Sequence, residues 1–131
     1  MQPSAELKSL VLQLYGKEAS GGLLDFAKHI YSRQDGVLVI GSEPNDRYEG
    51  YEAIMRFYEM AGAAGLDIRM DDIKAYWEGA FGWAAGQVTV KLPNGIEIPV
   101  RHTYVFQKED NAWKVVHTHI SVGVPDESFG L

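Results

Sequence analysis

The side chains best suited to chemistry lie together near one end of the chain, in Trp113-Lys114-Val115-Val116-His117-Thr118-His119-Ile120-Ser121-Val122. Successive side chains of a strand point to opposite sides, so a strand here puts Trp113, Val115, His117, His119 and Ser121 on one face. Lys114, Val116, Thr118, Ile120 and Val122 form the other row. An aromatic, two imidazoles and a hydroxyl on one side suit the wall of a pocket, whereas a mostly β-branched row suits packing against another surface. That outer row, Val116, Thr118, Ile120 and Val122, is expected to be buried between the subunits of a homodimer.

What faces the histidines depends on the turn at Glu109-Asp110-Asn111. A three-residue loop with a bulge, Asn111 being left-handed, closes Lys108 against Ala112. Arg101 then lies opposite His119, Thr103 opposite His117 and Val105 opposite Val115. A slip of one residue would bring His102 and Tyr104 to that face instead. In the first, preferred register His119 is a catalytic or ligand-orienting candidate, because imidazole changes charge near physiological pH. The competing reading is a histidine that merely hydrogen-bonds Ser121, a tyrosine or backbone in a wet cavity. His117 and His119, with His102 as a third ligand in the slipped register, could face a metal ion. No matching carboxylate accompanies them, so no metal or other cofactor is expected. Arg101 could clamp a carboxylate or phosphate with its planar fork, or pair with Glu78 or Glu97. Jointly, His119 and Arg101 are expected to hold the polar end of a ligand beside His117, Ser121 and Thr103. Tyr15, Tyr31, Tyr58 and Trp83 would surround its body.

These residues need elements to position them. Ser4 can cap a helix carrying Leu7, Leu10, Val11, Leu14 and Tyr15 on one face, which stops near Gly16. After a corner at Ser20-Gly21-Gly22, the residues Leu23, Phe26, Ala27, Ile30 and Tyr31 repeat that spacing. Val37 to Ile40 is a short strand ending at Gly41, and Ser42 to Asp46 is a loop. Tyr51, Ile54, Met55, Tyr58 and Ala61 mark a third helix that runs out in Gly62-Ala63-Ala64-Gly65. The rest alternates as strands: Leu66 to Trp77 as one bent strand or two short ones, then Trp83 to Leu92, then Ile96 to Gln107. Pro93-Asn94-Gly95 signals a hairpin, since Asn-Gly takes the positive φ values of tight turns. Trp77, Trp83, Phe57 and several tyrosines suit a core. Helices first and long antiparallel strands after them predict an α+β fold with one sheet face covered by helices.

Composition narrows the classes. With 131 residues, 46% of them hydrophobic, the chain has material for a single domain spanning 1–131 with a real core. Twelve Lys and Arg against 18 Asp and Glu give a net charge of −6 without a basic run, so nucleic acid is not an expected partner. No apolar stretch approaches the roughly 20 residues that span a bilayer, and Met1 to Glu6 lack the pattern of a secretion signal. A cytoplasmic protein without membrane contact is the expectation. Cysteine is absent, which excludes disulfides and thiolate chemistry.

The combination Val39-Ile40-Gly41-Ser42-Glu43-Pro44, Gly50-Tyr51-Glu52-Ala53-Ile54, Trp83-Ala84-Ala85-Gly86, Arg101-His102-Thr103-Tyr104-Val105-Phe106 and the Trp113 to Ser121 ending resembles the SnoaL-like, ketosteroid isomerase-like branch of the nuclear transport factor 2-like superfamily. The resemblance implies a cystatin-like cone, in which three N-terminal helices pack on a strongly curved antiparallel sheet around a cavity, often in dimers across the outer sheet face. It also suggests Tyr15 as a catalytic, oxyanion-stabilising tyrosine. The isomerases' carboxylate base on the short strand has no counterpart, because Val39-Ile40-Gly41 stands there. Two functions follow as expectations. One is binding of a small, partly aromatic organic molecule, neutral or anionic, with acid/base chemistry of isomerase, cyclase or dehydratase type at the histidines. The other is a non-catalytic dimerisation or association module, whose cavity Trp77, Trp83 and Tyr58 would fill.

Overall fold

The computed structural model describes residues 1–19 and 22–131. Helix α1 (Ala5–Ala19) begins where Ser4 Oγ accepts the Leu7 N–H at 3.0 Å, pairing one of the donors that a helix start leaves open. It buries Leu7, Val11, Leu14 and Tyr15. The helix passes Gly16, where the spacing had placed its end. Gly16 faces open space, and a lone glycine costs about 1 kcal/mol in a helix, less than the burial of that apolar face returns. Of the expected corner, Ser20 and Gly21 lie outside the described residues. Helices α2 (Leu23–Ile30) and α3 (Tyr51–Ala63) follow the predicted spacing.

Among the described residues seven strands form one sheet: β1 (Gln2–Pro3), β2 (Leu38–Ile40), β3 (Arg47–Glu49), β4 (Asp67–Glu78), β5 (Phe81–Lys91), β6 (Glu97–Glu109) and β7 (Ala112–Ser121), in the order β1-β4-β5-β6-β7-β2-β3. All neighbours are antiparallel except β2 and β7. β4 is a single strand, irregular between Met70 and Asp72. Ser42 to Asp46 form a turn, as read from sequence, and beyond them Arg47–Glu49, to which the sequence reading assigned no element, fold back as β3, with Val39 opposite Tyr48. The helices cover one face of the sheet, as an α+β fold requires. They come close enough that a Cβ on Gly82 would collide with Leu7 Cδ1 and sit 2.9 Å from the Tyr76 carbonyl oxygen. Leu7, Val39, Ile54, Ala84, Phe106 and Val115 are sealed from solvent between the two layers.

The two hairpin turns exchange the types read from sequence. At Pro93-Asn94-Gly95 only Gly95 has a positive φ (88°), the Gly95 N–H reaches Leu92 O at 2.9 Å, and Leu92 N–H reaches Ile96 O at 2.8 Å. Proline holds φ near −65°, which suits the first corner of an ordinary turn and forbids a mirror-image one. Asp110 (φ 49°) and Asn111 (φ 65°) instead form the tight two-residue loop, closing Glu109 against Ala112. A second irregularity follows: Phe106 pairs with Val115 but Val105 pairs with His117, leaving Val116 as a bulge. Beyond it Thr103 lies opposite His119 and Arg101 opposite Ser121, two residues away from the expected register.

Candidate functional site

The bulge at Val116 decides which side chains face the helices. Without it, strand alternation ties His117 and His119 to buried Trp113 and Val115. With it the phase changes, and Thr118, Ile120 and Val122 continue the inner row. Thr118 is fully buried and Ile120 and Val122 line the interior cavity, so the row expected between subunits points inward instead. His117, His119 and Ser121 join Arg101 and Thr103 on the outer face. Arg101, Thr103 and His119 are exposed there, and His117 donates its Nδ1–H to Leu38 O at 2.9 Å. Trp83 is on the same side, its ring 5.3 Å from that of Tyr76 and nearly parallel to it (29°). The fold therefore brings five expected polar site residues together, but on the wrong side of the sheet to reach the cavity. His102, on the inner face, is separated from His117 and His119 by the sheet. Among the described residues no group of three His, Asp or Glu side chains could hold a metal.

The cavity itself holds about 500 Å³ between the sheet, α3 and the β2–β3 hairpin. Its wall is largely apolar: Leu23, Phe57, Met60, Ala61, Leu66, Ile68, Val90, Ile98 and Val100 line it with Ile120 and Val122. A cluster of three buried polar side chains breaks that surface, Tyr15 from α1 with His102 and Tyr104 from β6, and Tyr58 adds a buried hydroxyl elsewhere in the wall. The Tyr15 hydroxyl hydrogen-bonds both His102 Nδ1 and the Tyr104 hydroxyl, and Nδ1 lies 3.2 Å from the Tyr104 oxygen. The Tyr15 and His102 rings meet edge-on, 5.2 Å apart. Burial pushes the His102 pKa down to about 3, so the ring is neutral and carries one N–H. Nδ1 is engaged by the two tyrosine hydroxyls, whereas Nε2 has no hydrogen-bond partner among the described residues.

Tyr31 and Tyr58 form a separate pair. The Tyr31 hydroxyl is 2.6 Å from both the Tyr58 hydroxyl and Thr118 Oγ1. Burial raises the Tyr31 phenol to about 12 despite those two hydrogen bonds. Tyr58 lines the cavity, while Tyr31 lies behind it, 1% exposed.

Of the expected residues, then, Tyr15 and Tyr58 line the cavity and Tyr31 supports it. His102 and Tyr104 were visible only in the rejected register. Their signal was the alternation of Val100, His102, Tyr104 and Phe106 with Arg101, Thr103 and Gln107, which marks the even-numbered row as the one facing inward.

With that geometry in hand, comparison with known proteins gives the family. Residues 9–125 match the SnoaL-like domain, and the chain belongs to that family. No protein with a curated description matches it in sequence. Solved structures match in fold. An NTF2-like protein of unknown function from Pseudomonas putida KT2440 is 14% identical, with a TM-score of 0.82 over 95% of this chain and 89% of that one. An uncharacterised protein with a cystatin-like fold from Caulobacter vibrioides is 12% identical, with a TM-score of 0.78 over 95% and 92%. A proposed ketosteroid isomerase from Shewanella frigidimarina is 17% identical, with a TM-score of 0.73 over 86% and 92%. The cystatin-like cone is thus the fold of this protein. Among the described residues, no helix is long and apolar enough to cross a membrane.

Proposed function

We propose that the protein binds a small, mostly apolar organic molecule inside the cone and holds an oxygen of that molecule at the Tyr15–His102–Tyr104 cluster. One observation carries this reading: an apolar cavity of about 500 Å³ has a buried polar cluster in its wall, in which the imidazole Nε2 has no hydrogen-bond partner among the described residues. Pockets built this way fix a ligand through few polar groups set in apolar walls. The association-module alternative required the space to be filled by Trp77, Trp83 and Tyr58. Trp77 packs edge-on with Trp113 instead, Trp83 is on the outer face, and Tyr58 borders the open space. A base with a pKa of about 3 is poorly matched to neutral pH, so His102 serves as a neutral hydrogen-bond donor and polariser of a carbonyl or hydroxyl oxygen. We further propose that a second copy covers the outer face, where Tyr76, Trp83, Val105 and His117 form a half-buried strip across four strands.

The test uses β-naphthol, an apolar bicycle with a single oxygen, followed by its own fluorescence. Wild-type protein should bind it, and Tyr15→Phe and His102→Phe should each raise Kd at least tenfold, about 1.4 kcal/mol, with unchanged circular dichroism. Absence of binding by the wild type, or unaltered affinity in both variants, refutes the reading.

A further inference from the structure

The cavity is electrically lopsided. Among the described residues its charged lining side chains are Glu43 and Asp46, both from the β2–β3 hairpin, and no lysine or arginine lines it. Glu43 is exposed and Asp46 half-buried, which puts them at the mouth, whereas Tyr15, His102 and Tyr104 are buried at the far end. Asp46 is held in place: its Oδ1 accepts the Tyr48 hydroxyl at 3.1 Å and its Oδ2 accepts the Glu43 N–H at 3.2 Å. It also lies so close to the chain that a Cβ on Gly41 would come within 2.6 Å of Oδ2. Two hydrogen bonds leave a carboxylate with acceptor capacity to spare. Burial, and next the Asp46 carboxylate, raise the Tyr48 phenol, so Tyr48 keeps its proton and remains a neutral ring beside that carboxylate.

Next to the two acids stands an aromatic wall. Tyr48 and Phe57 have ring centroids 4.9 Å apart at 43°, and Phe57 and Tyr58 lie 5.2 Å apart at 81°, all three lining the cavity. Aromatic faces attract a cation within about 6 Å, more strongly where water is excluded. At the far end His102, 6% exposed, presents Nε2 with no partner among the described residues and so provides for an uncharged oxygen. An anionic ligand would meet two carboxylates at the mouth and, among the described residues, no compensating cation, an arrangement that penalises a desolvated charge.

We propose that the ligand is an amine: an apolar body with an oxygen at the Tyr15–His102–Tyr104 end and a protonated nitrogen at the mouth, held by Asp46 and Glu43 against Tyr48, Phe57 and Tyr58. This rests on the reading that the cavity binds an organic molecule, and it replaces the expectation of an anionic ligand clamped by Arg101. The net charge of −6 favours the approach of such a cation.

The experiment uses three naphthols that differ only in one side arm: aminoethyl, hydroxyethyl or carboxymethyl. Titration calorimetry of the wild type should give the aminoethyl compound a Kd at least tenfold below that of the carboxymethyl compound and several-fold below that of the hydroxyethyl compound. The amine's advantage over the alcohol should shrink as salt is added, a measurement that needs no variant. In an Asp46→Asn, Glu43→Gln protein that advantage should vanish, with the alcohol's own Kd unchanged. Equal binding of amine and alcohol by the wild type, or an advantage that survives removal of both carboxylates, overturns the proposal and leaves cavity binding intact. If none of the three binds, the cavity-binding reading itself fails.

Discussion

At the scale of single residues, His102 sets how the protein responds to acid. Its folded pKa of about 3 lies below the ordinary 6.5, so below pH 6.5 the unfolded chain takes up a proton that the folded protein refuses. The unfolded state binds more protons there, and stability, complete above about pH 6.5, declines as pH falls toward about 3. By pH 5 this one group should remove about 2 kcal/mol. Urea unfolding at pH 7 and pH 5 checks this: His102→Gln should narrow the difference between the two midpoints, and an identical difference in both proteins would mean that the ring is not held neutral. The role of His102 was hard to read because two rows of β6 carry chemistry. Arg101 and Thr103 look like ligand contacts in isolation, yet the apolar company of His102, between Val100 and Tyr104, is what marks the inner row.

At the scale of elements, the helices were legible because a 3.6-residue apolar spacing survives in each: Leu7, Val11 and Leu14 in α1, Leu23, Ala27 and Ile30 in α2, Ile54 and Tyr58 in α3. The long strands were legible from alternation and turn residues. What escaped was phase. A bulge adds one residue and leaves no compositional mark, so Val116 reads like any strand valine while it moves His117 and His119 to the far side of the sheet. The short strands β1 and β3 escaped for another reason: two or three residues are too few to show a period. The seating of α1 on β5 is testable at Gly82, where any side chain would strike Leu7 Cδ1. Gly82→Ala should lower stability by about 1–3 kcal/mol in thermal or chemical unfolding. A neutral substitution would mean that α1 sits farther from the sheet.

At the scale of the whole molecule, the outer face of the sheet is the surface on which the proposed second copy would rest, and Trp83 lies within its half-buried strip. Trp83→Glu should convert a dimer to a monomer in analytical ultracentrifugation at micromolar concentration, with the fold retained. A wild type that sediments as a monomer, or a variant that stays dimeric, rules that face out. The two rims of the sheet have a different character. β1 covers only Trp77 and Tyr76 of β4, and the remaining rim carries exposed Asp67, Arg69, Asp71, Asp72 and Lys74 with a register break after Met70. The opposite rim is β3, three residues long, with Arg47 paired to Glu49 at 3.2 Å. A strand rim with unpaired N–H and C=O groups is a template on which another chain can extend a sheet, and fibrillar aggregation begins at such templates. Here one rim is charged and broken in register and the other is too short to seed growth, so 10- to 13-residue strands rich in valine and aromatics can be kept in one molecule without inviting indefinite stacking.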